Sequence, residues 1–167
     1  MAIAAGSYTL GPDDGMLSVR TRKAGAAAKA GHNLLIEVTS WSGTLALGDD
    51  GASASIELTA DPRSLKVLEG AAIEFRSTAV RGESNPNGGA ELRVSGELKL
   101  AGRRNRIAFE LTAAADGRLA GAATVKQSGW GIKPYSSLFG ALKVLDEVTV
   151  EIAARLPRAA VQSLRLY

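Results

Sequence analysis

The chain has 167 residues, of which 46% are hydrophobic and 22% charged, and its formal net charge is +3. The absence of cysteine excludes disulfides, thiolate metal sites, iron–sulfur clusters and cysteine nucleophiles, and a single histidine excludes histidine-rich metal sites. A chain of this length suits one domain with a substantial core. We predict a single domain over 1–167, with its core at about 7–156 and a C-terminal tail at 157–167.

The first residues lack the basic start and the long apolar run of a secretory leader. No window reaches the ~18 consecutive apolar residues of a membrane-spanning helix. Basic residues are dispersed without interleaved aromatic residues, apart from a cluster at Arg103, Arg104 and Arg106. We therefore expect a cytoplasmic protein that has no transmembrane segment and does not bind nucleic acid. The arginine cluster is either a solvated hairpin tip or a contact for phosphate or anionic lipid.

Apolar and polar residues alternate over most of the chain, which is typical of half-buried strands. The alternating segments are 17–19, 34–38, 52–60, 73–79, 91–100, 106–112, 119–125 and 147–152. In 73–79 the alternation puts Ala79 on the same face as Phe75. Turn-forming residues separate the segments at 48–51, 85–89, 101–105 and 116–117. Connections this short predict antiparallel hairpins.

Strands at this spacing fit either a sandwich or a closed barrel. We favour an all-β, antiparallel, up-and-down, lipocalin-like barrel of eight strands with one or two short helices. Closure removes exposed strand edges, and the predicted strands carry little proline to protect such edges. Gly43, Gly96 and Gly121 lie inside or beside strand patterns, where a barrel needs corners and bulges. A weak strand position that tolerates glycine is the alternative at each.

Helix is expected to be scarce. One or two turns are predicted within 136–145, where Pro134 favours a helix start. The segment 157–167 is either a short docking helix or a loose tail.

The stretch 130–140 combines bulky aromatic residues with glycine and proline. It contains Trp130, Tyr135 and Phe139, three of the eight aromatic residues in the chain. We interpret this stretch as a lid or rim over an interior, which favours binding over catalysis.

Patterns that indicate catalysis are missing from the sequence. There is no Gly-x-Ser-x-Gly elbow and no glycine-rich phosphate loop. The aspartate pairs at 13–14 and 49–50 fall in turns, where capping is the usual role. His32 pins the turn before a strand, acts as a lone general base, or contacts a ligand head group. We predict a protein that is not an enzyme and that binds no cofactor or metal.

The inward faces of the predicted strands are rich in Val, Leu, Ile and Phe. An eight-stranded barrel is wide enough either to be filled by side chains or to hold one small ligand. Alternation predicts a ligand-lining set of Val19, Ile36, Val38, Ile56, Leu58, Phe75, Phe109 and Val125. The predicted rim set is Trp41, Trp130, Tyr135 and Phe139, with His32 as the candidate head-group contact. Plain core packing is the alternative for the lining set, and a one-residue bulge would reverse any inward assignment.

Several segments together resemble the YceI-like family. They are YTLGP (8–12), KAGHNLLIEV (29–38) with WSGTL (41–45), IEFRS (73–77), VSGELKLAG (94–102), and WGIKPY (130–135) followed by DEV (146–148). The resemblance covers most of 8–153 and rests on order and spacing. It implies a bacterial, lipocalin-like barrel that binds a lipophilic chain such as a polyprenyl, an isoprenoid quinone or a fatty-acid amide.

The chain departs from the family pattern at one place. Relatives usually carry a longer segment with a helix before the strand that starts at Ile73, whereas 66–72 is short here. Either the helix has been lost or part of the loop is missing from the sequence. Many relatives are exported, and this chain is more similar to the leaderless branch that is rich in Ala and Gly.

Three functional hypotheses follow. The first is a non-enzymatic carrier or sequestering protein for a lipophilic small molecule held inside the barrel. The second is a packed, stress-related module that binds a protein through its outer face or through Arg103 and Arg104. The third is a cofactor-free enzyme that uses His32. The sequence leaves homodimer formation open.

Overall fold

The computed structural model describes residues 5–30, 33–48, 53–65, 72–84, 86 and 89–157. These residues form thirteen strands and four 3-10 helices, and no α-helix occurs among them. The strands are β1 (Gly6–Leu10), β2 (Gly15–Arg20), β3 (Lys23–Ala24), β4 (Leu35–Glu37), β5 (Trp41–Leu47), β6 (Ala54–Ala60), β7 (Ile73–Ser84), β8 (Ala90–Leu100), β9 (Arg103–Ala113), β10 (Arg118–Lys126), β11 (Ser136–Ser137), β12 (Leu142–Val144) and β13 (Glu147–Arg155). The 3-10 helices are Ala28–Ala30, Pro62–Leu65, Gln127–Trp130 and Leu138–Gly140.

The main sheet is antiparallel throughout, and within the described residues its order is β1-β5-β6-β7-β8-β9-β10-β13-β2-β4. β1 pairs with β5 while β2 pairs with β4. A short turn joins β1 to β2, and three residues join β4 to β5, so each couple acts as one bent strand. The ladder therefore returns to its start with eight strand positions. The predicted eight-stranded, up-and-down barrel is confirmed.

The turn between β1 and β2 is held by a reciprocal pair of hydrogen bonds. The Asp14 amide donates to the Gly11 carbonyl at 3.0 Å, and the Gly11 amide donates to Asp14 Oδ2 at 2.9 Å. The Asp14 side chain therefore accepts the hydrogen bond of a backbone amide that has no strand partner in the turn, and this fixes the connection between β1 and β2.

The up-and-down connectivity gives the barrel two different ends. The connections β2–β4, β6–β7, β8–β9 and β10–β13 lie at one end, which we call the loop end. The connections β5–β6, β7–β8 and β9–β10 lie at the other, which we call the hairpin end. The long connections are all at the loop end, so an interior site would be covered from that side.

The strand faces follow the alternation in the sequence. In β8, Leu92, Val94, Gly96 and Leu98 are buried, while Arg93, Ser95 and Glu97, which alternate with them, face solvent. Outside, Arg93 Nε lies 3.8 Å from Glu110 Oε1 on the paired strand β9. Such exposed cross-strand ion pairs each contribute little to stability, but opposite charges in register favour this pairing.

A β-bulge in β7 changes the inward phase. Ser77 is opposite Gly96, but Ala79 is opposite Ser95, so Thr78 is an extra residue. Val80, opposite Val94, therefore faces inward and Ala79 is exposed. The assignment of Ala79 to the face of Phe75 is wrong because simple alternation does not account for the inserted residue. Gly96 does lie at a bulge, as predicted.

The segment 136–145 forms a hairpin where a helical turn was predicted. β11 pairs with β12, and β12 pairs with β3, which gives a small second sheet at the loop end. Only the 3-10 turn Leu138–Gly140, between β11 and β12, is helical. The predictions for 158–167, for most of the short 66–72 segment and for His32 concern residues outside those described. No helix in the described part of the chain has the length and hydropathy to cross a bilayer.

Candidate functional site

The barrel interior is lined by apolar side chains that are not all packed out. Inward residues of several strands remain half-buried although strands surround them. They are Val19, Ile36, Ile56, Leu58, Ile107, Phe109, Ala123, Val150 and Ile152. Close-packed protein interiors leave few voids larger than a water molecule. Accessible surface on this many inward side chains therefore requires water-sized space beside them, and the apolar interior is the candidate site.

All eight residues of the predicted lining set face inward. Val19 is opposite Ile36 on one side and Val150 on the other, and Leu58 is opposite Phe75. Their surroundings differ, however. Phe75, Val38 and Val125 are buried in the packed part of the core, whereas the other five are half-buried beside the space. Whether they contact a ligand stays a prediction.

Two phenylalanine rings meet inside the barrel above a glycine. The Phe75 and Phe109 ring centroids are 5.4 Å apart at an interplanar angle of 60°. A Cβ on Gly96 would lie 2.6 Å from Phe75 ring atoms and 2.4 Å from the Arg76 carbonyl oxygen. Only glycine at 96 leaves room for this ring, and the tilted ring pair then forms a fixed aromatic wall.

Interior polarity is low, and the inward hydroxyl at the bulge, that of Ser77, already has a hydrogen-bond partner. The Ile56 amide donates to Ser77 Oγ at 2.8 Å, where the β6–β7 ladder has ended. Across the described residues, every buried side-chain nitrogen or oxygen has a hydrogen-bond partner. In the same residues there is no group of three or more His, Asp or Glu that could hold a metal ion. The interior therefore offers apolar contact and few free polar groups.

Trp130 was predicted at the rim, but it lies inside. It is 5% exposed, and its Nε1 donates to the Leu98 carbonyl at 3.0 Å. The adjoining turn is fastened to β9, because Asn105 Nδ2 donates to the Gly129 carbonyl at 2.7 Å. Trp130 therefore plugs part of the loop end. The hydrogen bond to the Leu98 carbonyl satisfies the indole N–H, which allows this polar atom to be buried.

The turn that carries Trp130 is held by Asp146. The Ser128 amide donates to Asp146 Oδ1 at 2.7 Å, and the Ser128 hydroxyl donates to Oδ2 at 2.5 Å. These hydrogen bonds, the hydroxyl first, hold the pKa of Asp146 below its ordinary value. Gly131 ends the turn at φ 73°, where a Cβ would lie 2.8 Å from Arg103 Cζ. The turn thus requires both the carboxylate and the glycine.

Of the other three residues predicted at the rim, one is buried and two are exposed. Trp41 is buried, with its ring beside Gly43 and opposite Ala60, so it belongs to the core. Tyr135 is 64% exposed and Phe139 is fully exposed, and both lie in the connection at the loop end; that they contact a ligand there stays a prediction.

An open depression of about 550 Å³ lies next to the β6–β7 connection. Ser42, Thr59, Asp61 and Arg63 contribute to its polar lining. Arg63 Nη2 lies 2.9 Å from Asp61 Oδ2, and hydrogen bonds from Arg63 lower the pKa of that carboxyl. Trp41, Ala60, Pro62 and Ala72 supply apolar lining beside these polar groups, so the depression is open and of mixed polarity.

The geometry agrees with a comparison against protein families, in which the model of the YceI-like domain matches residues 8–156. The chain belongs to the YceI-like family. The family resemblance seen in the sequence is therefore confirmed. No curated protein matches the chain.

Among solved structures, this YceI-like barrel is similar to one titled the crystal structure of Burkholderia cenocepacia BcnA. The TM-score is 0.60 at 15% sequence identity, and the match covers 83% of this chain and 94% of that chain. At this identity the likeness shows the fold alone.

Sequence reasoning missed part of the lining. Ile107, Val150 and Ile152 face the same space as Val19 and were not among the predicted contacts. The alternation in β9 and β13 already marked them as inward, so the signal was available. Val80 could not be found this way, because the extra residue, Thr78, is neither glycine nor proline, and Gly96 marks the bulge only on the paired strand.

Proposed function

We propose that this YceI-like barrel binds one lipophilic chain, acyl or isoprenoid, in its interior and carries or sequesters it without catalysis. The observation that carries the proposal is the belt of half-buried inward aliphatic side chains, whose accessible surface implies a space among strands that close on one another. The family and the barrel fold support hydrophobic ligand binding.

The energetics favour a chain over a compact polar ligand. Each methylene group that leaves water gains about 0.8 kcal/mol, so about ten of them would gain about 8 kcal/mol before the cost of ordering. The space next to Val19, Leu58 and Val150 offers such contacts, and few unpaired polar atoms face it. A chain therefore needs no strong polar anchor to bind.

The solidly packed module is the less favoured reading of the same barrel. It would require the inward side chains to exclude water from one another, as Leu98 and Val94 do. Half-buried Ile56, Leu58 and Ile152 do not meet that requirement.

Two neighbouring alanines provide a matched test. Ala123 faces inward beside Val150 and is half-buried, whereas Ala122 faces outward and is exposed. Ala123→Leu would occupy the space of about three methylene groups, so binding should weaken at least about tenfold. Ala122→Leu should bind like the wild type.

The measurement is a titration of delipidated protein with a fluorescent polyene fatty acid, alongside thermal unfolding of each variant. Weaker binding by Ala123→Leu at an unchanged melting temperature supports the proposal, because the leucine side chain then occupies space that the ligand uses in the wild type. Equal binding by both folded variants would overturn the proposal. A melting temperature lowered only in Ala123→Leu, with no binding by wild type, would show an interior that is already packed.

A further inference from the structure

Exposed apolar side chains are concentrated at the loop end. Among the described residues, six large hydrophobic side chains are strongly exposed, and all except Met16 lie at or next to the loop end. The other five are Leu34, Leu35, Tyr135, Phe139 and Leu145.

The strand pairing joins these residues into one surface. The Val144 amide donates to the Tyr135 carbonyl at 2.9 Å, and the Leu145 amide donates to the Arg22 carbonyl at 2.8 Å. The Thr21 amide donates in turn to the Leu34 carbonyl at 2.9 Å. Tyr135, Leu145 and Leu34 therefore lie on adjacent rungs at the loop end, although they are far apart in sequence.

Phe139 projects from the tip of the β11–β12 hairpin. It is fully exposed and has φ 53° and ψ 33°, in the left-handed region that bulky residues rarely adopt. Exposure and backbone strain both disfavour phenylalanine here, so the position calls for a functional explanation.

The tip is supported from behind. The Ala27 amide donates to the Ala141 carbonyl at 2.7 Å, and a Cβ on Gly25 would lie 2.4 Å from that carbonyl oxygen. The small residues of 24–28 therefore let the backbone pack directly against the hairpin. The hairpin that carries Phe139 is therefore held in place by the backbone of 24–28.

The same surface has a one-sided charge. The segments 21–30 and 131–145 carry five of the chain's 20 basic residues and none of its 17 acidic ones, leaving 15 basic against 17 acidic elsewhere. Within the described part of the chain, the exposed side chains of Arg22, Lys29, Lys133 and Lys143 form no ion pair. Lys143 Cε lies 3.2 Å from the position of a Cβ on Gly140, so this lysine runs along the tip beside Phe139.

We propose that the loop end docks on an anionic lipid bilayer. Phe139 inserts at the headgroup level, where aromatic side chains are favoured, and the four basic side chains contact lipid phosphates. A second copy of the chain is a poorer occupant, since two such surfaces would oppose like charges. The proposal goes beyond ligand binding and does not depend on it, because no interior residue takes part.

Cosedimentation with vesicles tests the docking surface. The protein should bind vesicles of phosphatidylcholine mixed with phosphatidylglycerol, bind phosphatidylcholine alone much less, and dissociate as salt is raised. Binding to neither kind of vesicle, or equal binding to both, would overturn the proposal.

The aromatic contribution is tested with Phe139→Asn. Asparagine adopts the left-handed conformation readily, so the hairpin should be retained. We expect about tenfold weaker binding to the anionic vesicles from the loss of aromatic insertion. Met16→Asn, which removes an exposed apolar side chain from the outer wall of β2, is the matched control and should bind like the wild type. Equal binding by wild type and Phe139→Asn would contradict insertion.

The charge contribution is tested with the double variant Lys133→Gln and Lys143→Gln. Each lysine lost near an anionic surface should weaken binding about fivefold. Arg81→Gln with Arg93→Gln removes the same charge from the outer wall near the hairpin end and is the control. An equal loss in both double variants would show a general charge effect and no docking surface.

A self-interface would give a different result. In that case light scattering would show a wild-type dimer that Phe139→Asn dissociates, without vesicle binding, and the bilayer proposal would fail. Fatty-acid binding inside the barrel is measured separately with Ala123→Leu. Either proposal can therefore fail without affecting the test of the other.

Discussion

The two halves of the β10–β13 connection have similar compositions but different structures. The first half, 127–131, buries Trp130 and is fastened by Asp146 and by Asn105. The second half, 135–145, leaves Tyr135 and Phe139 in solvent on a projecting hairpin. Both halves contain aromatic residues and glycine, so composition does not separate plug from rim. The two halves differ in their contacts: the Trp130 N–H is bonded to the Leu98 carbonyl, whereas Phe139 lies at the tip of a hairpin that projects into solvent.

The largest expected effect is the loss of the plug. Trp130→Ala should lower the free energy of unfolding by about 3–5 kcal/mol, because a buried ring and its bond to Leu98 are removed. Tyr135→Ala, in the exposed half, should change it by less than about 0.5 kcal/mol. Urea denaturation of both variants measures the difference. Similar losses would show that the two halves are equally packed.

Backbone conformation provides a second, smaller contrast. Gly131→Ala should destabilise the protein by about 1–2 kcal/mol, because its φ of 73° disfavours a Cβ and Arg103 lies close. Phe139→Gly relieves the same kind of strain and should leave stability unchanged or slightly higher. Thermal melts of the two variants should therefore move in different directions. A stabilised Gly131→Ala variant would contradict the turn geometry.

The smallest effect is a pH dependence in the fastened half. Hydrogen bonds from Ser128 lower the pKa of Asp146, so the ionised carboxylate stabilises the fold above the unfolded-state pKa of about 3.9. That contribution is lost as pH falls through the lowered folded-state pKa. Asp146→Asn should therefore lose less stability than the wild type between neutral and acidic pH. Ser128→Ala keeps the backbone bond and should show an intermediate slope. Parallel curves for all three would refute the role of the carboxylate.

Much of the fold was predictable because it depends on local alternation. Inward residues such as Val19, Ile36 and Leu58 repeat every second position, and short connections predict antiparallel pairing of neighbouring strands. The burial of Trp130 was not predictable, since its acceptor on Leu98 lies in another hairpin. The 136–145 hairpin depends in the same way on pairing with β3, far away in sequence. Local patterns cannot report such long-range partners.

The central claim is that a lipophilic chain occupies the space inside the barrel. Carbon-13 methyl spectra of delipidated protein, recorded as a saturated fatty acid is added, test it most directly. The account predicts shifts at the methyl groups of Val19, Ile36, Ile56 and Leu58, and little change at exposed Leu34 and Leu35. Shifts confined to Leu34 and Leu35, with the inward methyl groups unchanged at saturation, would contradict it.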